Sequence, residues 1–418
     1  MLRVRPSEAR TGMRLALPVY HPTRPGAVLI RAGLPLERKA VARLQELSVP
    51  EVWIECPKLK DLARTASPGV QAARAHITHL IAGAFDSATK RVDPELDYKV
   101  FRNAIASMLS QLGENQWASL FVAELAATGK PAVRHATDVA FLSTLIGLRL
   151  DFYLLRERPK RLPAQAKDVT NLGVAAMLHD IGMTRLDEGS LHRWNTTHDE
   201  SDERWQEHAK LGYRMVSGRI EPTAAAAVLH HHQRFDGSGF PARAGLDEAL
   251  SGSDIHIYAR IIAAADMYDR LVHGACDPNS DEYGPRTRPA VRALNMIQGE
   301  PFAGRIDPIV LWGLLNVCPA YPPGSIVRLS DGMRCAVAEW DPAHPCRPKV
   351  TPIGEVEVAE LVRADPRGKV PIIDLAAKPE LSVVEVDGED VSEDNFELRS
   401  EDVSRVNALR EMPESEAA

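Results

Sequence analysis

The sequence predicts a mainly α chain, in which an all-α helical domain is flanked by a small N-terminal mixed module and a small C-terminal β appendix. Three observations predict it. Apolar residues recur at helical spacing through the middle of the chain, short apolar runs bounded by Pro and Gly occupy both flanks, and the texture changes at Tyr321-Pro322-Pro323-Gly324. At 418 residues the chain has room for two to four units of roughly 100–200 residues each.

Residues 1–65 read as an accessory α/β module. The runs Gly26-Ala27-Val28-Leu29-Ile30 and Val52-Trp53-Ile54 read as strands, and between them Ala40, Val41, Leu44 and Leu47 fall on one helical stripe. Residues 66–130 read as a helical linker region. Ile77, Leu80, Ile81 and Phe85 recur at i, i+3, i+4 and i+8 there, and Val100, Ile105, Met108 and Leu112 follow the same rule approximately. Residues 131–320 form the principal helical domain and hold most of the histidines. Residues 321–386 read as the β appendix: Ile326-Val327-Arg328-Leu329, a Ser-Asp-Gly turn and residues 334–338 make a hairpin, and residues 370–375 and 381–386 add strands. Residues 387–418 are acidic and poor in aromatics, and predict a disordered tail.

The formal charge is −7, but from Glu385 onward there are twelve acidic and three basic residues, so the rest of the chain is close to neutral. That balance, with 6% aromatic residues, excludes a basic nucleic-acid footprint and a base-stacking surface. Cys56, Cys276, Cys318, Cys335 and Cys346 are odd in number and contain no CxxC pair, which argues against a disulfide framework or a cysteine zinc site and fits a reducing compartment. The start has no apolar signal-peptide core, and no stretch approaches 18 uninterrupted apolar residues. The expectation is a cytoplasmic protein with no membrane, DNA or RNA partner.

Imidazoles and carboxylates occur at separated places: His135, the pair His179-Asp180, His208, the pair His231-His232, and Asp266. A single helical histidine is more often a core or surface residue than a ligand. Asp180 and Asp266 carry more weight because each follows a strongly apolar helical run, where a carboxylate is costly to bury unless paired or bound to a cation. Together the set is what a first-row metal cluster with nitrogen and oxygen donors needs. Without thiolates, iron or manganese is favoured over structural zinc. Two such ions would clamp a phosphodiester and lower the pKa of a bridging water, and Asp180 is the natural bridging carboxylate.

The ordered segments LHDIG, HAKLG, HHQRFDGSGFP and AADMYD resemble the HD-GYP subgroup of the HD phosphohydrolase superfamily over about 190 residues. The resemblance implies an HD-type all-α domain and hydrolysis of cyclic di-GMP to pGpG or GMP in bacterial second-messenger signalling. It implies a metal site of His135, His179, Asp180, His208, His231, His232 and Asp266, with Asp180 and His179 as the catalytic pair. It also implies substrate contacts from the loop carrying Asp236, Gly237, Gly239, Phe240 and Pro241. Three departures from the family pattern stand out. Met183 replaces a Lys after HDIG, Gln233 replaces the Glu of the HHE triplet, and an insertion to about Arg286 follows Asp269. Pro131 stands one turn before His135 and leaves a third metal position unmatched, so two divalent ions are expected. Arg185, Arg286 and Arg288 are the candidates to supply the missing cation, with Arg286 placed among the substrate contacts. The alternative reading is a low-activity module that binds cyclic di-GMP or a protein partner as a sensor. Homodimer formation and other signalling partners stay open at this level.

Overall fold

The computed structural model describes residues 1–21, 27–47, 49, 51–64, 67–114, 130–242, 248–273, 288–354 and 370–411. The N-terminal apolar runs form strands β1 (Leu2–Val4), β2 (Val19–Tyr20), β3 (Val28–Ile30) and β4 (Val52–Ile54) around helix α1 (Arg38–Glu46). Strands β1 and β4 are antiparallel, with Leu2 opposite Ile54, and β2 pairs with β3. Leu44 of the predicted α1 stripe is buried, while Ala40 and Val41 pack at the edge of the same core. Gly26 lies outside the described residues.

Helices α2 (Pro68–Lys90) and α3 (Tyr98–Glu114) follow. Ile77, Ile81 and Phe85 are buried as their spacing predicts, and so are Ile105, Met108 and Leu112. Val100 is the exception: the buried stripe of α3 runs through Phe101, Ala104 and Ile105, and a residue five positions before Ile105 points about 140° away from it. The helical reading of residues 115–127 lies outside the described residues.

The principal domain contains α4 (Pro131–Arg149), α5 (Asp151–Glu157), α6 (Pro163–Ala166), α7 (Thr170–Leu178), α8 (Glu188–Thr197), α9 (Glu203–Val216), α10 (Pro222–His230), α11 (Ile257–His273), α12 (Ala290–Met296) and α13 (Pro308–Leu315). Helix α7 is apolar almost all round, as a centrally buried helix must be, and α2, α3, α4, α10 and α11 pack around it. Side chains at the residue before each helix fix where the later helices begin: Asp187 accepts from Ser190 N, Asp202 from Arg204 N, Glu221 from Ala224 N and Asp307 from Ile309 N. Among the described residues no helix is long and apolar enough to cross a membrane.

The C-terminal strands are β5 (Ile326–Leu329), β6 (Arg334–Glu339), β7 (Lys349–Pro352), β8 (Ile373–Asp374), β9 (Val383–Val386) and β10 (Glu389–Asp390). They form one antiparallel sheet in the order β10-β9-β5-β6-β7-β8, and the expected hairpin is β5–β6. The period-two alternation of this sheet serves two cores. Val327, Leu329, Cys335, Val337 and Val350 face the helical core, whereas Ile326, Ala336, Ala338 and Ile353 join the N-terminal module. Arg3 seals that junction, donating to Ser325 Oγ at 2.6 Å, while its backbone N–H reaches Gly324 O at 3.0 Å. The two flanking units, read as separate from sequence, therefore share a core.

The expectation of a disordered tail from residue 387 is corrected as far as residue 411. Strand β10 and helix α14 (Ser400–Glu411) lie in it. The helix is held by docking: Val406 is buried, Arg156 donates to Leu409 O, and Arg410 lies over the rings of Phe152 and Trp312.

Candidate metal centre

Helix α7 ends at Leu178, and the chain enters a 3₁₀ turn over Ile181–Arg185 that leaves His179 and Asp180 at the domain centre. This turn packs against α9 at very short range. A Cβ on Gly182 would come within 2.0 Å of His208 O and 2.5 Å of Gly212 N, so only glycine allows the approach that brings Asp180 to His208. The turn just past α10 delivers His231 and His232, α4 delivers His135, and α11 delivers Asp266.

All seven predicted residues meet there. The two carboxylate oxygens of Asp180 face different histidines: Oδ2 lies 3.6 Å from His135 Nε2 and 3.5 Å from His179 Nε2, and Oδ1 lies 3.4 Å from His208 Nε2 and 3.5 Å from His231 Nε2. Asp266 stands 3.0 Å from His135 Nε2, 3.8 Å from His179 Nε2 and 3.9 Å from His232 Nδ1. Two groups of donors, His135-His179-Asp180 and Asp180-His208-His231-His232, could each hold an ion and share Asp180.

The hydrogen bonds behind the histidines test that fit. His179 Nδ1 donates to Ala176 O at 2.8 Å, His208 Nδ1 to Trp205 O at 2.6 Å and His231 Nδ1 to Val228 O at 2.7 Å. A carbonyl can only accept, so each Nδ1 carries the proton and each Nε2 presents a lone pair. Burial pushes His179 down to about 4 and His208 down to about 3, and drives His232 well below its usual value, so these imidazoles are neutral at pH 7. His208 and His231 then turn lone pairs toward each other, with their Nε2 atoms 3.3 Å apart, and His232 Nε2 lies 3.1 Å from His208 Nε2. Asp180 Oδ1 is buried between them without a hydrogen bond. Converging acceptors with no donor are repulsive unless a cation lies among them, so the donor set fits a metal.

His135 differs. Burial disfavours its charge, but hydrogen bonds to Asp266 and, at 2.7 Å from Nδ1, to Asp269 outweigh that and push it up to about 10. A proton there supplies positive charge between Asp266 and Asp269. Sequence reasoning did not assign Asp269 or Arg270, although both follow Asp266 at i+3 and i+4 on the buried face of α11. Asp269 orients His135 and also pairs with His273 at 3.0 Å. Arg270 Nη2 lies 2.9 Å from Asp266 Oδ1 and 3.4 Å from His232 Nε2, and Nη1 lies 3.3 Å from Glu200.

The loop 236–241 flanks the cluster. Phe240 is buried and stacks on His232 with ring centroids 4.6 Å apart, and a Cβ on Gly239 would meet His232 O at 2.4 Å. Asp236 is exposed and caps its own turn by accepting from Ser238 N and Oγ, outside the histidine cluster, and Gly237 supplies the positive φ of that turn. Gln233 ties the loop down, donating to Pro241 O at 2.6 Å and accepting from Leu250 N at 2.9 Å. Met183 packs beside Trp194, Trp205, Ala209 and Phe240. Arg185 donates to Arg91 O and Val92 O, and Arg288 to Leu271 O, so neither points at the cluster. Arg286 lies outside the described residues.

Against known proteins, residues 100–310 match the HD domain. A cyclic di-GMP phosphodiesterase of Pseudomonas aeruginosa is 27% identical over 343 residues, 77% of this chain and 77% of that protein. A cyclic di-GMP phosphodiesterase response regulator of Xanthomonas campestris pv. campestris is 31% identical over 116 residues, 27% of this chain and 29% of the relative. A 3'3'-cGAMP-specific phosphodiesterase of Vibrio cholerae is 32% identical over 113 residues, 26% of this chain and 20% of the relative.

Proposed function

The chain belongs to the HD domain family, and from that premise we propose that it is a metal-dependent phosphodiesterase that hydrolyses cyclic di-GMP to pGpG or GMP. The observation that carries this reading is the convergence of four imidazoles on the two oxygens of Asp180, three of them oriented by Nδ1 bonds to backbone carbonyls. His135, His179, Asp180 and Asp266 would hold one divalent ion, and Asp180, His208, His231 and His232 the other. The nitrogen and oxygen donors favour iron or manganese. Such ions supply Lewis acidity toward a phosphoryl oxygen and a bound water of lowered pKa.

The protein's own groups do the rest. Asp180 ties the two donor groups together, and His179 beside it completes the catalytic pair. Nδ1 bonds to backbone carbonyls hold the imidazoles in one tautomer, so no reorganisation is needed when substrate arrives. Phe240 and Trp205, the latter backed by Trp194, form an apolar wall against His208 and His232 that keeps bulk water from that side. The loop with Gly237, Gly239, Phe240 and Pro241 bounds the approach of substrate. The choice of cyclic di-GMP follows the names of the Pseudomonas and Xanthomonas relatives, and the Vibrio relative makes 3'3'-cGAMP the comparison substrate.

The test is turnover of both dinucleotides by protein of measured iron or manganese content, with products separated by chromatography. Hydrolysis of cyclic di-GMP that disappears on chelation and returns with manganese is the expected result. Metal-replete protein that binds the dinucleotide tightly without cleaving it would replace this reading with that of a sensor module.

A further inference from the structure

We propose that Arg270 is the cation that meets the substrate phosphate in this site, supplying the charge absent at Met183. The inference rests on the phosphodiesterase reading above. Position 183 directly follows the His179–Gly182 turn, where a basic side chain would stand beside the cluster. Here it holds a thioether that joins the Trp194-Trp205-Phe240 cluster and can carry no charge. The two other described arginines suggested by sequence are engaged elsewhere through Arg91 O, Val92 O and Leu271 O.

Arg270 approaches from the opposite element. It sits one turn beyond Asp266 on α11, and its side chain is only 12% exposed. A guanidinium so far out of water is costly unless it is compensated. The compensation found here is shared rather than exclusive. Asp266 divides its charge between Arg270 at 2.9 Å and His135 at 3.0 Å, and Glu200 divides its charge between Arg270 and Arg234. The planar group lies over the faces of Trp194 and Trp205, with centroids 4.9 and 5.3 Å from Cζ, and those two indoles stack on each other. The result is a cation fixed in direction, held by carboxylates it shares with other cations, and 3.4 Å from His232 at the edge of the histidine cluster. A planar donor fork held in this way suits a phosphodiester oxygen. Met183 then belongs to the same device, since the aromatic shelf it packs against is the one that carries the guanidinium. A lysine at position 183 would set a second cation against the first.

The experiment compares wild type with Arg270→Met, Arg270→Lys, Met183→Lys and the Met183→Lys/Arg270→Met double variant at equal measured metal content. Arg270→Met should reach the same metal content, and should melt lower because Asp266 and Glu200 lose a shared partner. It should lose about 100- to 1,000-fold in kcat for cyclic di-GMP, the usual effect of removing one transition-state donor. Its affinity for inorganic phosphate, measured by calorimetry, should fall at least tenfold. Arg270→Lys should recover part of both losses, Met183→Lys alone should not exceed wild type, and the double variant should regain at least tenfold over Arg270→Met. An Arg270→Met protein within threefold of wild type in kcat and phosphate affinity overturns the proposal. So does one whose lost turnover returns fully when metal is made saturating, because Arg270 would then be only a counter-ion for Asp266. If metal-replete wild type cleaves nothing, the phosphodiesterase reading fails separately, and phosphate affinity alone decides for or against Arg270.

Discussion

Replacing Asp180 by Asn removes one negative charge while leaving the side chain's shape nearly unchanged. Each oxygen of Asp180 stands 3.4–3.6 Å from two imidazole Nε2 atoms, so an ion held by either donor group would lie in contact with this carboxylate. Two unit charges 4 Å apart at an effective dielectric of about 20 interact by about 4 kcal/mol. A divalent ion in closer contact loses at least that much with the Asn, or about three orders of magnitude in affinity. The amide would also turn an N–H toward one histidine pair and block its lone pairs. Protein produced with manganese or iron, desalted and analysed by elemental mass spectrometry should fall from about two ions per chain to well below one. Thermal unfolding gives a second reading. Metal at 100 times its Kd stabilises the wild type by about 2.7 kcal/mol, and Asp180→Asn should show almost none of that response. Unchanged metal content in Asp180→Asn, with an unchanged rise in melting temperature on adding manganese, would refute the shared-carboxylate arrangement.

Three further outcomes are expected. Gln233→Glu restores the acid of the family pattern but removes the N–H that Pro241 O accepts, so it should destabilise the fold by about 1–3 kcal/mol in urea titration; a neutral or stabilising effect would show that the loop does not depend on this amide. Asp269→Ala frees His135 Nδ1 and should weaken manganese binding about 10- to 100-fold by isothermal titration, and unaltered affinity would mean that His135 is oriented by other contacts. His256 caps α11 by accepting from Tyr258 N, and burial first, then Arg158, push its pKa down to about 4. The unfolded chain takes that proton near pH 6.5 and the fold only near 4, so this group's contribution is present above 6.5 and is lost as pH falls toward 4. Up to about 3 kcal/mol is at stake. His256→Asn, which can still accept the amide, should lose less stability than wild type between pH 7 and 4.5, and parallel losses would contradict this.

The clustered residues His179, Asp180 and Asp266 were legible because they stand in short segments whose neighbours are chemically informative: an apolar run before His179-Asp180, a glycine after it, and a second apolar run before Asp266. The helices around them were legible from period 3.6, and the β5–β6 hairpin from its turn residues. What was not legible depends on contacts distant in sequence. Nothing local marks Trp194 and Trp205 as a shelf for Arg270, because their stacking requires α8 and α9 to fold beside α11. Asp269 and Arg270 did carry a signal, since three charged residues at i, i+3 and i+4 on an apolar helix must be compensating one another. The acidic tail misled for a thermodynamic reason: helix α14 buries little surface and takes its order from docking on Phe152 and Trp312.

The core shared by residues 1–62 and the C-terminal sheet has a consequence for synthesis. Leu2, Leu15 and Ile54 emerge from the ribosome early, but Ala336 and Ile353, which complete their enclosure, follow some 270 or more residues later. At roughly 5–20 residues per second, the first-made strands wait from about 15 s to nearly a minute with an apolar face uncovered. In connectivity terms the helical domain is a long excursion between two halves of a single small body, anchored where Arg3 meets Ser325. Losing either the strand Leu2–Val4 or the segment from Ile326 to Ile353 therefore unmakes the same core.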